Sequence, residues 1–291
     1  MSFIQTILDK LGNIQVNNSL CVDLISPKGH CKFCVDNCPI DAISFENENI
    51  IIKDNCNGCG ICTSNCKPKA LTKINPTEKG LINAIKSRYI DKFDCNIDSE
   101  DERMCVGALS KEIITYIYLN DNEFFSNIND DKCANCKFNV GYKLFNKRIT
   151  EIENSIKDYD SSHLIKEKSD VDLNKREFLK NIFTLPSKRL DNSIKNYHEY
   201  YSELVNENSE ITQHIDFLLP TKSDNKCSKC QACVKLCPTD ALDMKQDNMY
   251  LNKSLCCGCG LCANVCFEKA LTMQKNDGVI DRIIPIFEEF E

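Results

Sequence analysis

Cysteine recurs in this chain at spacings that leave little choice in what the polypeptide can fold around. One stretch reads Cys227-x2-Cys230-x2-Cys233-x3-Cys237-Pro238, and Cys256-x2-Cys259-x2-Cys262-x3-Cys266 follows it. The pattern also occurs near the amino end, as Cys31-x2-Cys34-x3-Cys38-Pro39 and then Cys56-x2-Cys59-x2-Cys62-x3-Cys66. A loop with cysteines two residues apart can wrap three sulfurs around one corner of an iron–sulfur cubane, while the cysteine ahead of proline reaches a second cluster. Iron in such clusters prefers soft thiolate ligands. Of the 21 cysteines, only Cys257 stands outside these runs, Cys21 and a looser central group of four. The spacing therefore predicts electron-transfer chemistry.

The remaining composition narrows the class. Hydrophobic residues make up 42% of the 291 residues and tryptophan is absent. Each cysteine-rich piece is too small for a large apolar core, so its metal is expected to supply much of its folding free energy. A disulfide framework would need an oxidising compartment. The segment from Met1 to Lys10 has no basic region followed by a long apolar stretch, and no apolar run reaches the roughly 18 residues of a membrane span. A cytoplasmic location is expected. The formal net charge of −7 becomes more negative with thiolate-held clusters, which disfavours nucleic-acid binding and favours redox partners with basic docking surfaces.

Residues 38–72 and 237–272 are two copies of one design, the second longer by one residue between its cysteine runs. In each, two short apolar stretches follow the Cys-Pro and read as a hairpin: Ile43 to Phe45 with Ile50 to Ile52, and Leu242 to Met244 with Met249 to Leu251. Gly258-x-Gly260-x-x-Ala263 spells a dinucleotide fingerprint, but cysteines fill it and no strand leads into it. Glycine there lets backbone N–H groups approach sulfur.

Each copy resembles bacterial ferredoxins with two [4Fe–4S] clusters, over about residues 21–75 and 222–275. The resemblance implies that Cys227, Cys230, Cys233 and Cys266 hold one cluster, and Cys256, Cys259, Cys262 and Cys237 another. It implies a third set in Cys56, Cys59, Cys62 and Cys38, and a fourth in Cys31, Cys34 and Cys66. Lys28 stands where that fourth set needs its first cysteine. Cys21, carried by a longer loop with Pro27 and Gly29, is the expected substitute; a three-cysteine site and ligation by His30 are the alternatives.

The segment between the copies has a different character. Ala108 to Leu119 and Val140 to Tyr159 carry apolar residues at helical spacing, and Phe124 to Ile128 reads as a strand. Here lie Cys95, Cys105, Cys133 and Cys136. The stretch Met104-Cys-Val-Gly-Ala-Leu-Ser110, with Cys133-x2-Cys136-x4-Gly141, is similar to the small iron–sulfur subunit of methanogen-type hydrogenases; the spacing is also similar to that of thioredoxin-like [2Fe–2S] ferredoxins. Both resemblances imply a [2Fe–2S] cluster; a structural zinc or uncoordinated thiols are the alternatives. Residues 160–221 are charged and lack cysteine, as a helical connector would. Within them Lys175 to Lys180 resembles a twin-arginine signal, but its internal position argues against targeting.

The expected fold class is α+β, with ferredoxin-like modules at 1–75 and 222–291 flanking a small α/β domain at 76–159 and a connector at 160–221. Four [4Fe–4S] clusters and a [2Fe–2S] cluster fit an electron carrier, or the wiring subunit of an oxidoreductase complex in an anaerobe, without catalytic residues of its own. An enzyme with an open iron, or a cluster-based sensor, are the competing classes. The Cys-x3-Cys-x2-Cys run of radical enzymes is missing, with Asp41 where its third cysteine would stand.

Overall fold

The computed structural model describes residues 14–74, 77, 78, 80, 81, 83, 93, 95, 104–120, 124–126, 128, 130–163, 218–246, 248–253, 255–275 and 283–287. At the amino end, strand β1 (Ile14–Val16) pairs antiparallel with β4 (Leu71–Lys73), with Val16 opposite Leu71. Between them lie the short helices α1 (Val22–Ile25) and α2 (Phe33–Asp36) and the hairpin β2 (Ile43–Glu46) and β3 (Asn49–Ile52). Alternation explains the hairpin, since Ile43 and Ile50 are buried while Ile51 faces outward. Its two-residue turn places Asn47 and Glu48 at φ of 46° and 60°, the left-handed pair that matches strand twist.

The carboxy-terminal region repeats this plan. β5 (Leu218–Lys222) pairs with β8 (Leu271–Lys275), and β6 (Leu242–Lys245) with β7 (Asn248–Asn252). Helices α6 (Ala232–Lys235) and α7 (Leu261–Val265) occupy the cysteine loops. The extra residue of this copy falls after the hairpin. Lys53 and Asn252 make the same bond, to Ala42 O and Ala241 O, but Cys56 lies three residues beyond Lys53 and Cys256 four beyond Asn252. At 283–287, β9 (Ile283–Phe287) adds to the edge of β7 with a register shift at Met249 and Tyr250.

In the central segment, α3 (Lys111–Asn120) and α5 (Asn139–His163) pack together, with the one-turn α4 (Asp130–Ala134) ahead of α5. Ile113 and Ile117, one turn apart, are buried with Ile114, Phe145 and Ile152. Phe124 to Ser126 form a turn and not the expected strand: Phe124 O accepts from Phe93 N, and Phe124 and Phe145 both meet the Phe125 ring edge-on. Helix α5 continues past the compositional boundary at 159, and β5 begins ahead of the one at 222. Of the expected connector, residues 164–217 lie outside the described residues, and Lys175 to Lys180 with them.

Polar contacts bind this segment to the amino-terminal cysteine region. Buried Arg148 on α5 donates to Gly107 O, Leu109 O and Ser64 Oγ. Lys67 Nζ lies 2.6 Å from Glu112 Oε1. Burial works to raise the Glu112 carboxyl, but the Lys67 ammonium outweighs it and holds the group down at about 2.

Candidate metal centres

The strand pairs that close each copy bring its first and last cysteines together. At the carboxy end Cys227, Cys230, Cys233 and Cys266 line a single small pocket with Phe267 at its rim. Burial pushes the Cys233 thiol up to about 11, and the Cys227, Cys266 and Cys230 sulfurs push the same way. Cys256, Cys259 and Cys237 act likewise on Cys262, whose buried thiol is raised strongly. Buried thiols held in their protonated form become good thiolates only when a metal displaces the proton, so each cage suits a cationic iron core.

Backbone N–H groups complete the cages. Ala241 N donates to Cys237 Sγ at 3.3 Å and Ala270 N to Cys266 Sγ at 3.2 Å. The two carboxy-terminal loops that aim the sulfurs take left-handed backbone on both sides of the middle cysteine. Gly258 and Gly260 supply it at 66° and 75°, and Lys229 and Gln231 supply it without glycine at 56° and 61°. A Cβ on Gly258 would also strike Leu218 O at 2.9 Å, so this glycine admits β5 against the loop.

The amino-terminal cysteines are grouped in the same way. Ala42 N donates to Cys38 Sγ at 3.2 Å and Leu71 N to Cys66 Sγ at 3.3 Å. Cys62, strongly raised by burial, has Cys59, Cys56, Cys34 and Cys38 as neighbours. Burial lifts the Cys34 thiol to about 12, aided by Cys66, Cys31 and Cys21. Cys21 is thus brought to the set that lacks a cysteine at Lys28, at the residue just before α1, where its carbonyl accepts from Leu24 N and Ile25 N and its side chain makes no capping bond. The loop returns tightly over that helix, because a Cβ on Gly29 would fall 2.1 Å from Val22 O. Lys28 and His30 are exposed. His30 takes left-handed backbone at 50°, as Lys229 does one residue before Cys230, which matches Cys31 to Cys230.

In the central segment Cys105 is buried and raised to about 12 by that burial, with Cys59, Cys95 and Cys136 as neighbouring sulfurs. Phe138 N donates to Cys136 Sγ at 3.3 Å. Cys133 lies in the same turn as Cys136, whose N–H donates to its carbonyl. Two glycines allow this packing: a Cβ on Gly107 would lie 2.3 Å from Gly141 Cα, and one on Gly141 would lie 2.5 Å from Cys105 Sγ. Among the described residues, no group of three or more His, Cys, Asp or Glu side chains is gathered into a single-ion site.

Residues 220–243 and 249–272 match the family model of the 4Fe-4S binding domain. This stretch is a ferredoxin-type 4Fe–4S segment. No curated protein and no solved structure matches the chain. The 4Fe–4S segment meets the amino-terminal cysteines directly. Val22, Ile25 and Cys31 share a core with its Cys233, Cys256, Cys259 and Cys262, and Cys259 is among the neighbours of Cys31. On the other side of the amino-terminal region, Cys105 N donates to Cys59 O at 3.1 Å. Residue pattern alone does not reveal these junctions. Nor does it assign a place to Cys257, which is buried in the 4Fe–4S segment with its thiol hydrogen-bonded to Cys259, holding Cys259 down to about 7.

Proposed function

We propose that this chain is an electron-transfer protein, or the electron-wiring subunit of a larger redox assembly, with four [4Fe–4S] clusters and a central [2Fe–2S] cluster. When bound, such clusters take up and release single electrons. One set would be Cys227, Cys230, Cys233 and Cys266, and a second Cys237, Cys256, Cys259 and Cys262. The third would be Cys38, Cys56, Cys59 and Cys62, the fourth Cys21, Cys31, Cys34 and Cys66, and the central one Cys95, Cys105, Cys133 and Cys136. The observation that carries this reading is the 4Fe-4S family match over residues whose four outer cysteines line one pocket.

The chain's own groups do the rest. Thiolates hold the iron, backbone N–H groups offset their charge, and residues such as Ile61, Leu71, Leu251 and Leu261 keep water from the cages. In this reading electrons would pass from the central set to the third where Cys105 neighbours Cys59, to the fourth where Cys62 neighbours Cys34, and on to the second where Cys31 neighbours Cys259, whose core also holds Cys233 of the first. The acidic surface would steer partners with basic docking faces, and this attraction weakens with salt. Among the described residues, no helix is long and apolar enough to cross a membrane.

Anaerobic purification with iron, sulfide and zinc counts tests this reading, with EPR of the reduced protein. About 18 iron atoms per chain are expected from four cubanes and one binuclear centre. About 16 iron with one zinc would make the central set structural. A fully ordered protein free of iron would overturn the proposal.

A further inference from the structure

The two copies differ at one position that faces a cysteine loop in both. Lys73 on β4 follows Cys66 by seven residues, and Met273 on β8 follows Cys266 by seven. Each packs on the second glycine of its loop. A Cβ on Gly60 would meet Lys73 Cδ at 3.0 Å, and one on Gly260 would meet Met273 Cγ at 3.9 Å. Lys73 is 7% exposed, and its Nζ donates to Gly58 O at 3.0 Å, within the turn between Cys56 and Cys59. Burial raises the Cys56 and Cys59 thiols, and the Lys73 charge opposes that rise at both. Met273 brings a neutral thioether to the equivalent place.

We propose that Lys73 sets the centre held by Cys38, Cys56, Cys59 and Cys62 at a higher reduction potential than its repeat counterpart, the centre held by Cys237, Cys256, Cys259 and Cys262. The inference rests on the reading that both sets hold iron–sulfur clusters. One-electron reduction adds a negative charge within the thiolate cage, with no bond made or broken. A buried ammonium beside that cage stabilises the reduced form more than the oxidised one, and low local polarity strengthens the effect. Electrons from a low-potential donor protein therefore settle on the amino-terminal side, next to Cys105.

Among the described residues, two other groups bear on this asymmetry. Lys69 is buried as well, but its ammonium is paired with Glu78 at 2.9 Å, while its counterpart Lys269 is exposed. The Cys257 thiol donates to Cys259 and favours its thiolate, so it acts in the same direction at the carboxy-terminal centre, but as a neutral dipole beside one sulfur and without the net charge that Lys73 brings.

The test is a dithionite titration of the full-length, iron-loaded protein followed by EPR, with iron counted beforehand. Lys73→Met should lower one reduction step about tenfold in its equilibrium constant, about 59 mV for one electron, at unchanged iron content. Lys73→Arg should hold that step in place, and Met273→Lys should raise a different step. Unmoved potentials in Lys73→Met at full iron content, or in Met273→Lys, would overturn the inference. If Lys73→Met loses iron, the reciprocal Met273→Lys shift decides alone. Wild-type protein without iron would instead strike the underlying reading before any titration began.

Discussion

Replacing Gly107 by alanine attacks the contact that holds the central cysteines against the amino-terminal region. The added Cβ would sit 2.3 Å from Gly141 Cα, 2.7 Å from its carbonyl carbon and 2.6 Å from its oxygen. All three are backbone atoms of α5, so no side-chain rotation can relieve the overlap. Ordinary contact begins near 3.4 Å, and the 106–108 turn must therefore move from α5 by about 1 Å. That motion strains the Arg148 bonds to Gly107 O and Leu109 O and pulls Cys105 from Cys136. Overpacking of this kind costs about 1–3 kcal/mol. With a urea dependence of about 1–3 kcal/mol per molar, the midpoint should fall by roughly 1 M. The assay is urea unfolding of the metal-loaded protein by circular dichroism, with iron and zinc counted on the same sample. Gly80→Ala is the control, since its Cβ would meet only Thr77 Oγ1, at 3.0 Å, within a helical stretch. A Gly107→Ala protein with an unchanged midpoint and unchanged metal content would refute the reasoning.

Three further outcomes are expected. Cys21→Ser should lose one iron from the amino-terminal set and show a [3Fe–4S] EPR signal when oxidised; full iron content with no such signal would show that Cys21 does not ligate. Glu112 is held at about 2, below its ordinary 4.5, so its pairing with Lys67 contributes stability that is full above pH 4.5 and lost as pH falls through about 2. Glu112→Gln should flatten that acid limb in urea midpoints measured from pH 6 downward, and an identical pH profile would count against the pairing. Iron removal by a chelator should collapse near-ultraviolet dichroism and expose the cages to proteolysis, because burial of protonated thiols cannot replace metal–sulfur bonds; apo-protein that resists protease like the loaded form would contradict this.

Some structure was readable from neighbouring letters alone. The β2–β3 and β6–β7 hairpins lie where apolar residues alternate, since a two-residue turn leaves the partner strand next in sequence. The outer pairs β1–β4 and β5–β8 escaped notice. Their strands are only three to five residues long, separated by whole cysteine loops, and Pro220 sits in one of them. Phe124 to Ile128 misled for the reverse reason: adjacent aromatics carry strand propensity, but burial of Phe124 and the contact of Phe125 with Phe145 decided the backbone. The tail strand β9 depends on a free edge of β7, which no local pattern announces.

Cysteine spacing, together with the softness of sulfur, determined by itself that this chain is built for iron–sulfur chemistry, because ligand type and loop length are properties of a few consecutive residues. Tertiary structure alone decided that Cys21 approaches Cys34, that Cys31 faces Cys259, and that Cys105 rests on Cys59. It also decided that Lys73 lies in the interior beside one loop while Met273 takes the same place in the other. Those relations arise from long-range packing of apolar faces, which the pattern along any single segment does not encode.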